Sequence, residues 1–376
     1  MALSHWRVAP ALVVGVLAAV LGLLAGVEPI YGLAAALGIA FVLVLLVDLY
    51  AGLIIFVLVV SVSEAPGFLG GEVTLSKLLG GLLVAVWILH MVMHREAREN
   101  FFGSRHPIAS WILAAFLAWS VITGVWAAEP TASIDAAFRV FLTMTLFLVV
   151  FTAVHTRSQG LGLIAAIVAG ACLDAAVGLT TPTTVANEAR LAGGQTSPGE
   201  LAAVLAAGLV LSLGLARVMR ERQLARIAAL AAAGLCLVGI LLTGSRAGLI
   251  ALALALAAFI AVGGRWRFRA IALSGLVVAL TYAFFTYAAA PEIRERVTTV
   301  GSGSGRVDLW TVGWRMVEDE PLRGVGYGNF PLVSSRYVLE PGAVARGEYV
   351  VDDAKTAHNT YLEQWAETGL IGLLLF

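Results

Sequence analysis

The chain closes on TAHNTYLEQWAETGLIGLLLF, residues 356–376, where a polar run passes straight into an apolar one. This junction ends the one long stretch that water would tolerate, residues 289–361. That stretch holds ten carboxylates, seven arginines, one lysine and one histidine, His358. On either side of it the sequence is almost purely apolar. Across all 376 residues, 60% are hydrophobic and 13% are charged. A soluble domain has about 45–50% apolar and about 25% charged residues. The composition therefore excludes a soluble fold and predicts an all-α polytopic membrane protein with one large outer loop between its last two helices.

Apolar runs of spanning length, each needing about 20 residues, divide the chain into about 12 transmembrane helices. They fall at 8–26, 30–47, 50–63, 75–93, 108–127, 135–154, 160–179, 200–216, 224–243, 246–262 and 270–288. A last one begins near Tyr361 and is still running at Phe376, so we expect a truncated chain that one or two further helices would complete. The first run is followed at once by a second span and reads as a helix, not a cleavable signal. Four segments follow: N-terminal helices 1–180, helices 181–288 with outward arginines, the loop 289–361, and the start of the last helix, 362–376.

Lysine and arginine concentrate in cytoplasmic loops of membrane proteins. With Arg7 inside, the loops after the fourth, sixth, eighth and tenth spans also lie inside. Together these segments carry twelve basic residues, including Arg95, Arg157, Arg220 and Arg267. The short outer loops carry Glu28, Glu64, Glu72 and Glu129 instead. The N-terminus is thus expected in the cytoplasm and the 289–361 loop in the periplasm or outside the cell, as for a bacterial inner-membrane protein.

Three arginines break this pattern. Arg190 and Arg246 sit at the outer level, and Arg139 lies about one turn into its span from the outer side. A guanidinium matches phosphate oxygens with a planar fork of donors, which suits a diphosphate at headgroup level. Anionic lipid would bind the same groups, and Arg139 can also snorkel to the surface. His358 is the histidine on the outer side; at neutral pH an imidazole can take a proton from a hydroxyl. The 307–322 segment reads as an amphipathic helix with Leu309, Val312, Met316 and Val317 near one face and Trp310 and Trp314 beside it. GVGYG, 324–328, lacks a βαβ setting and reads as a turn. No HExxH, CxxC or DxD pattern is present, so no metal or other cofactor is expected, and nothing suggests a nucleic-acid partner. Cys172 and Cys236, far apart in sequence, read as small apolar fillers.

Three motifs taken together resemble the O-antigen ligase/polymerase superfamily of membrane glycosyltransferases. They are ARLAGGQTSPGELAAVLA (189–206), LLTGSRAGLIALALAL (241–256), and the outer loop with SGRVDLWTVGWRMVEDEPLRGVGYGNF (304–330) and the closing AHNTYLEQWAETG. In the first, Arg190, Gly193 and Pro198 fit the family pattern while Gly199 replaces its asparagine. The match runs from about 190 to 376. The resemblance implies a GT-C type, inverting, metal-independent glycosyltransferase. Its donor would be a glycan on polyprenyl (undecaprenyl) diphosphate, and its acceptor a glycan, lipid or protein in the cell envelope, as in lipopolysaccharide assembly. It also implies that Arg190 and Arg246 hold the diphosphate and that His358 is the base or orients the acceptor. Arg139, Arg306, Asn359 and Trp310 are further candidates for substrate contact. A non-catalytic transporter of lipid-linked glycan is the alternative. Such a fold would favour broken mid-membrane helices and internal repeats, whereas the unusual charges here cluster at the outer face.

Overall fold

The computed structural model describes residues 22–23, 25–63, 75–95, 99, 101–180, 183–185, 188–191, 197–262, 264, 267–289, 291, 293–294, 306–338 and 356–376. The predicted span at 8–26 lies largely outside these residues. The helices are α1 (Pro29–Val47), α2 (Leu49–Ser63), α3 (Leu75–Met93), α4 (Pro107–Ile122), α5 (Pro130–Ala153), α6 (Arg157–Thr180), α7 (Pro198–Val218), α8 (Gln223–Thr243), α9 (Arg246–Val262), α10 (Arg267–Ala283), α11 (Arg306–Asp319) and α12 (Thr360–Leu375). Among the described residues, seven helices are long and apolar enough to cross a membrane: α3 to α8, with α4 counted through Val125, and α10 together with its terminal π turn. Three shorter apolar helices, at Tyr31–Val47, Leu49–Ser61 and Arg246–Ala261, fall below that length. The protein is a helical, multi-pass membrane protein. One departure from an all-helical chain is a hairpin of two three-residue strands, β1 (Thr183–Val185) and β2 (Glu188–Arg190), paired antiparallel.

The chain forms two compact units, each built from separate stretches of sequence. One comprises Met1–His90 and Ala153–Thr299; the other comprises Met91–Thr152 and Val300–Phe376. In the first unit, α7 packs against α6, α8 and α9. Its core is made of Leu201, Leu205, Ile240, Ala171 and Ala175, all buried. Lipid tails are as apolar as leucine, so helices in a membrane gain by close approach at small residues. Here a Cβ added at Gly239 would stand 2.6 Å from the Leu205 side chain, and one at Gly248 would stand 2.7 Å from Ala202. Cys172 of α6 and Cys236 of α8, distant in sequence, meet in this interface as free thiols.

In the second unit, α11 buries the face expected of it. Leu309, Val312, Met316 and Val317 pack on Phe330, Val333, Ala357 and Ala366. The last helix, α12, corrects the expectation of a span running on from Tyr361. It breaks at Gly369 (φ 67, ψ −175). Residues 361 and 376 of a straight helix would lie about 22 Å apart, yet the Tyr361 and Phe376 ring centroids are 6.1 Å apart. The second half therefore turns back over the first.

The break is held by Pro321–Phe330, the segment containing GVGYG. Val325 N and Gly326 N donate to Ala366 O and Glu367 O at 2.9 Å, and Leu370 N donates to Pro321 O at 2.9 Å. Trp119 of α4 reaches the Thr368 carbonyl with its indole N–H at 2.8 Å. The segment is a turn, as its glycines suggested. Gly324, Gly326 and Gly328 have φ of 68°, 105° and 74°, the region where a Cβ is costly. Each also abuts other backbone or side chains: Glu367, Ala127 and Ala136 respectively. Gly326→Ala should therefore lower the melting temperature of the purified protein by several degrees, since strained backbone alone costs about 1–3 kcal/mol. Gly214→Ala, in a helix with open space at its Cβ, should leave it unchanged. Equal melting temperatures for both variants would show that the glycine at position 326 is dispensable.

Candidate active site

His358 stands at the start of α12 in a left-handed conformation, φ 49°. A non-glycine residue adopts this only where its surroundings insist, at a cost of about 1–3 kcal/mol. The surroundings are explicit. The preceding residue, Ala357, is fully buried. Its N–H donates to Glu363 Oε2 at 3.1 Å, and its carbonyl accepts from Trp310 Nε1 at 3.0 Å. The following residue, Asn359, caps α12 by accepting from Leu362 N at 3.3 Å. Pinned on both flanks, His358 is exposed. Arg306, also exposed, begins α11 one turn before Trp310, so the structure gathers Arg306, Trp310, His358 and Asn359 at one end of α11 and α12.

Arg139 lies elsewhere in the same unit. Because α5 starts at Pro130, it sits about two and a half turns into its helix, deeper than the one turn read from sequence. Its charge acts on Tyr327 and on Glu367. Glu367 is only 2% exposed and accepts from Phe330 N at 2.9 Å. Gln364, 7% exposed, hydrogen-bonds Tyr327, while its own Oε1 has no partner among the described residues. Burial raises the Tyr327 phenol above its usual range, and the Gln364 contact opposes this. Sequence reasoning passed over Gln364 and Glu367. The available signal was a carboxylate and an amide inside an apolar helix, which are expensive unless partnered. Asp174, 1% exposed in α6, carried the same signal.

In the other unit, the α8–α9 turn presents Arg246. The Thr243 hydroxyl accepts from Ser245 N at 3.2 Å, Gly244 closes α8 at φ 58°, and Ser245 Oγ caps α9 by accepting from Gly248 N at 3.3 Å. TGSRAG is thus a stop and a start in one motif, which leaves Arg246 exposed in the first turn of α9. A helix N-terminus and a guanidinium both favour an anion. The backbone of Arg190 pairs with Thr183 in the hairpin. Just beyond, Ser197 caps α7 by accepting from Glu200 N at 3.2 Å, with Pro198 in the first turn.

Beside His358 a groove of about 810 Å³ runs between α11 and α12, and Trp310, Trp314, Asn359 and Trp365 are among its walls. A smaller pocket of about 240 Å³ in the same unit is polar. On its wall, Arg323 grips Glu320 through two hydrogen bonds of 2.8 and 2.7 Å, and this contact holds the carboxyl below its usual range. Among the described residues no three His, Cys, Asp or Glu side chains gather to ligate a metal.

The O-antigen ligase family model matches residues 231–376. A curated O-antigen ligase from Pseudomonas aeruginosa is 28% identical over 300 residues, which covers 78% of this chain and 68% of that relative. No solved structure matches the chain.

The cap beneath His358 can be tested directly. Asn359→Ala should cost about 1 kcal/mol of helix stability, and Asn359→Asp should restore it, read as melting temperature in detergent. An Asn359→Ala protein as stable as the original would show that the cap does not stabilise α12.

Proposed function

We propose that the chain, which the O-antigen ligase family model matches over residues 231–376, acts as a member of that family and transfers a glycan from a polyprenyl-diphosphate carrier to an acceptor hydroxyl at the outer leaflet, as a ligase or a polymerase. The observation that carries this reading is His358, held in a strained turn with both neighbouring residues anchored and its imidazole left accessible. In this reading His358 takes the proton of the acceptor hydroxyl. The acceptor oxygen bonds to the anomeric carbon as the carbon–diphosphate bond breaks from the opposite face, so the anomer inverts. Arg190 and Arg246 hold the diphosphate and neutralise the charge that grows on it as it leaves. Arg306, Asn359 and Arg139 contact the substrate. The energy resides in the sugar–diphosphate bond, so the reaction draws on no nucleotide, and the two arginines supply the charge neutralisation for which other enzymes use a metal ion. The charge pattern of the loops supports a cytoplasmic N-terminus in a bacterial inner membrane, with His358 on the periplasmic side.

His358→Ala should lower transfer by about 10²–10⁴-fold while the protein still inserts in the membrane. Full activity would remove the histidine from the mechanism. Arg246→Ala and Arg190→Ala should weaken binding of the lipid-linked donor; undiminished binding would sink the diphosphate assignment. Transfer should survive excess EDTA, and a loss restored by a divalent cation would overturn the metal-free chemistry.

A further inference from the structure

The groove beside His358 carries two kinds of lining along one stripe of α11. Its floor alternates stacking rings with hydrogen-bonding groups: Trp310 and Trp314 with Thr311 and Glu318, faced by Trp365 and Asn359 from α12. The spacing 310, 311, 314, 318 is one face of a helix, distinct from the buried face of Leu309, Val312, Met316 and Val317. Two of the indoles are fixed by their N–H groups. Trp310 donates to Ala357 O at 3.0 Å and Trp365 donates to Pro321 O at 3.0 Å. Trp314 stands edge-on to Trp365, with centroids 5.7 Å apart and planes at 82°. The rings are therefore pre-oriented. Trp310 and Trp314 still leave 41% and 49% of their surface uncovered.

We infer that this groove binds the sugar rings of the transferred or accepting glycan, seating a ring next to His358; the inference rests on the glycosyl-transfer reading above. A sugar has apolar C–H faces that pack on indole, and hydroxyls that bond to Thr311, Glu318 and Asn359. A lipid chain would satisfy the indoles and the neighbouring Val307, Leu362 and Leu373, but it would offer no hydrogen bond to Thr311, Glu318 and Asn359 on the same walls, which a sugar's hydroxyls do. The groove also begins at Asn359, the residue after His358, so a sugar bound along it brings a hydroxyl or anomeric carbon to the imidazole end. Its volume lies in the range of small-molecule sites, roughly 300–1,000 Å³.

The experiment is equilibrium binding of oligosaccharide, released by mild acid from the surface glycan of the native host, to the full chain in nanodiscs free of sugar-headed detergent. Saturable binding is expected, about tenfold weaker in Trp314→Ala and largely restored in Trp314→Phe, which keeps a ring for stacking. The inference is overturned by an absence of saturable binding, by equal affinity in Trp314→Ala, or by displacement of the oligosaccharide by polyprenyl monophosphate. That last outcome would assign the groove to a lipid chain. The two readings fail separately. Oligosaccharide binding without any transfer activity upholds the groove and overturns the enzyme. Transfer by a Trp314→Ala protein at the rate and KM of the original overturns the groove and leaves the enzyme standing.

Discussion

The second unit depends on how a broken helix end is kept from exposing its backbone. Helix α12 breaks at Gly369, and every peptide group freed there needs a partner, because an unpaired buried group costs about 1–3 kcal/mol. The partners come from one neighbouring segment, Pro321–Phe330, and from the Trp119 indole. Glu367 completes the join through its carboxylate, which accepts the Phe330 N–H at 2.9 Å. Asn329, fully buried, ties the same segment to α5 through Ser133 Oγ at 3.0 Å. The three left-handed glycines are the consequence: without a Cβ, Gly324 lies against the Glu367 backbone of α12 while Gly326 and Gly328 lie against Ala127 and Ala136.

That join fixes the position of the helix whose other end carries His358. Met316 and Val312 of α11 share one buried cluster with Ala366 of α12 and with Ala357 just before it. The Trp310 N–H meets the Ala357 carbonyl. The left-handed turn at His358 is thus held by its anchored neighbours Ala357 and Asn359, which is how a rigid scaffold supports an exposed side chain on a loop.

The first unit solves a different problem with different means. Its helices close through small residues, with Gly239 against Leu205 and Gly248 against Ala202, and Arg246 is exposed where one helix stops and the next begins. Arg246 is a case in which local sequence decides nearly everything. Thr243 and Gly244 end one helix, Ser245 starts another, and the arginine in the first turn is left facing outward.

Much of this was legible in the chain itself. Apolar runs bounded by charge or by proline marked ten described helices, with 224–243 and 246–262 matching α8 and α9 to within a residue, because backbone in lipid must form helices to satisfy its own hydrogen bonds. The helical face of α11 and the turn at 324–328 were equally local properties, as were the identities of Arg246 and His358 as exposed candidates. Three features were not local. The fold-back of α12 requires a partner segment about forty residues earlier to accept its broken end, and no periodicity reports that. The burial of Glu367 and Gln364 depends on which segment covers them. The aromatic groove exists because two helices lie side by side at one register. The sequence by itself determined where helices form and where charge is exposed, since those follow from each residue's cost in lipid. Only the tertiary structure decided which distant segments satisfy one another's hydrogen bonds, because that is a property of pairs.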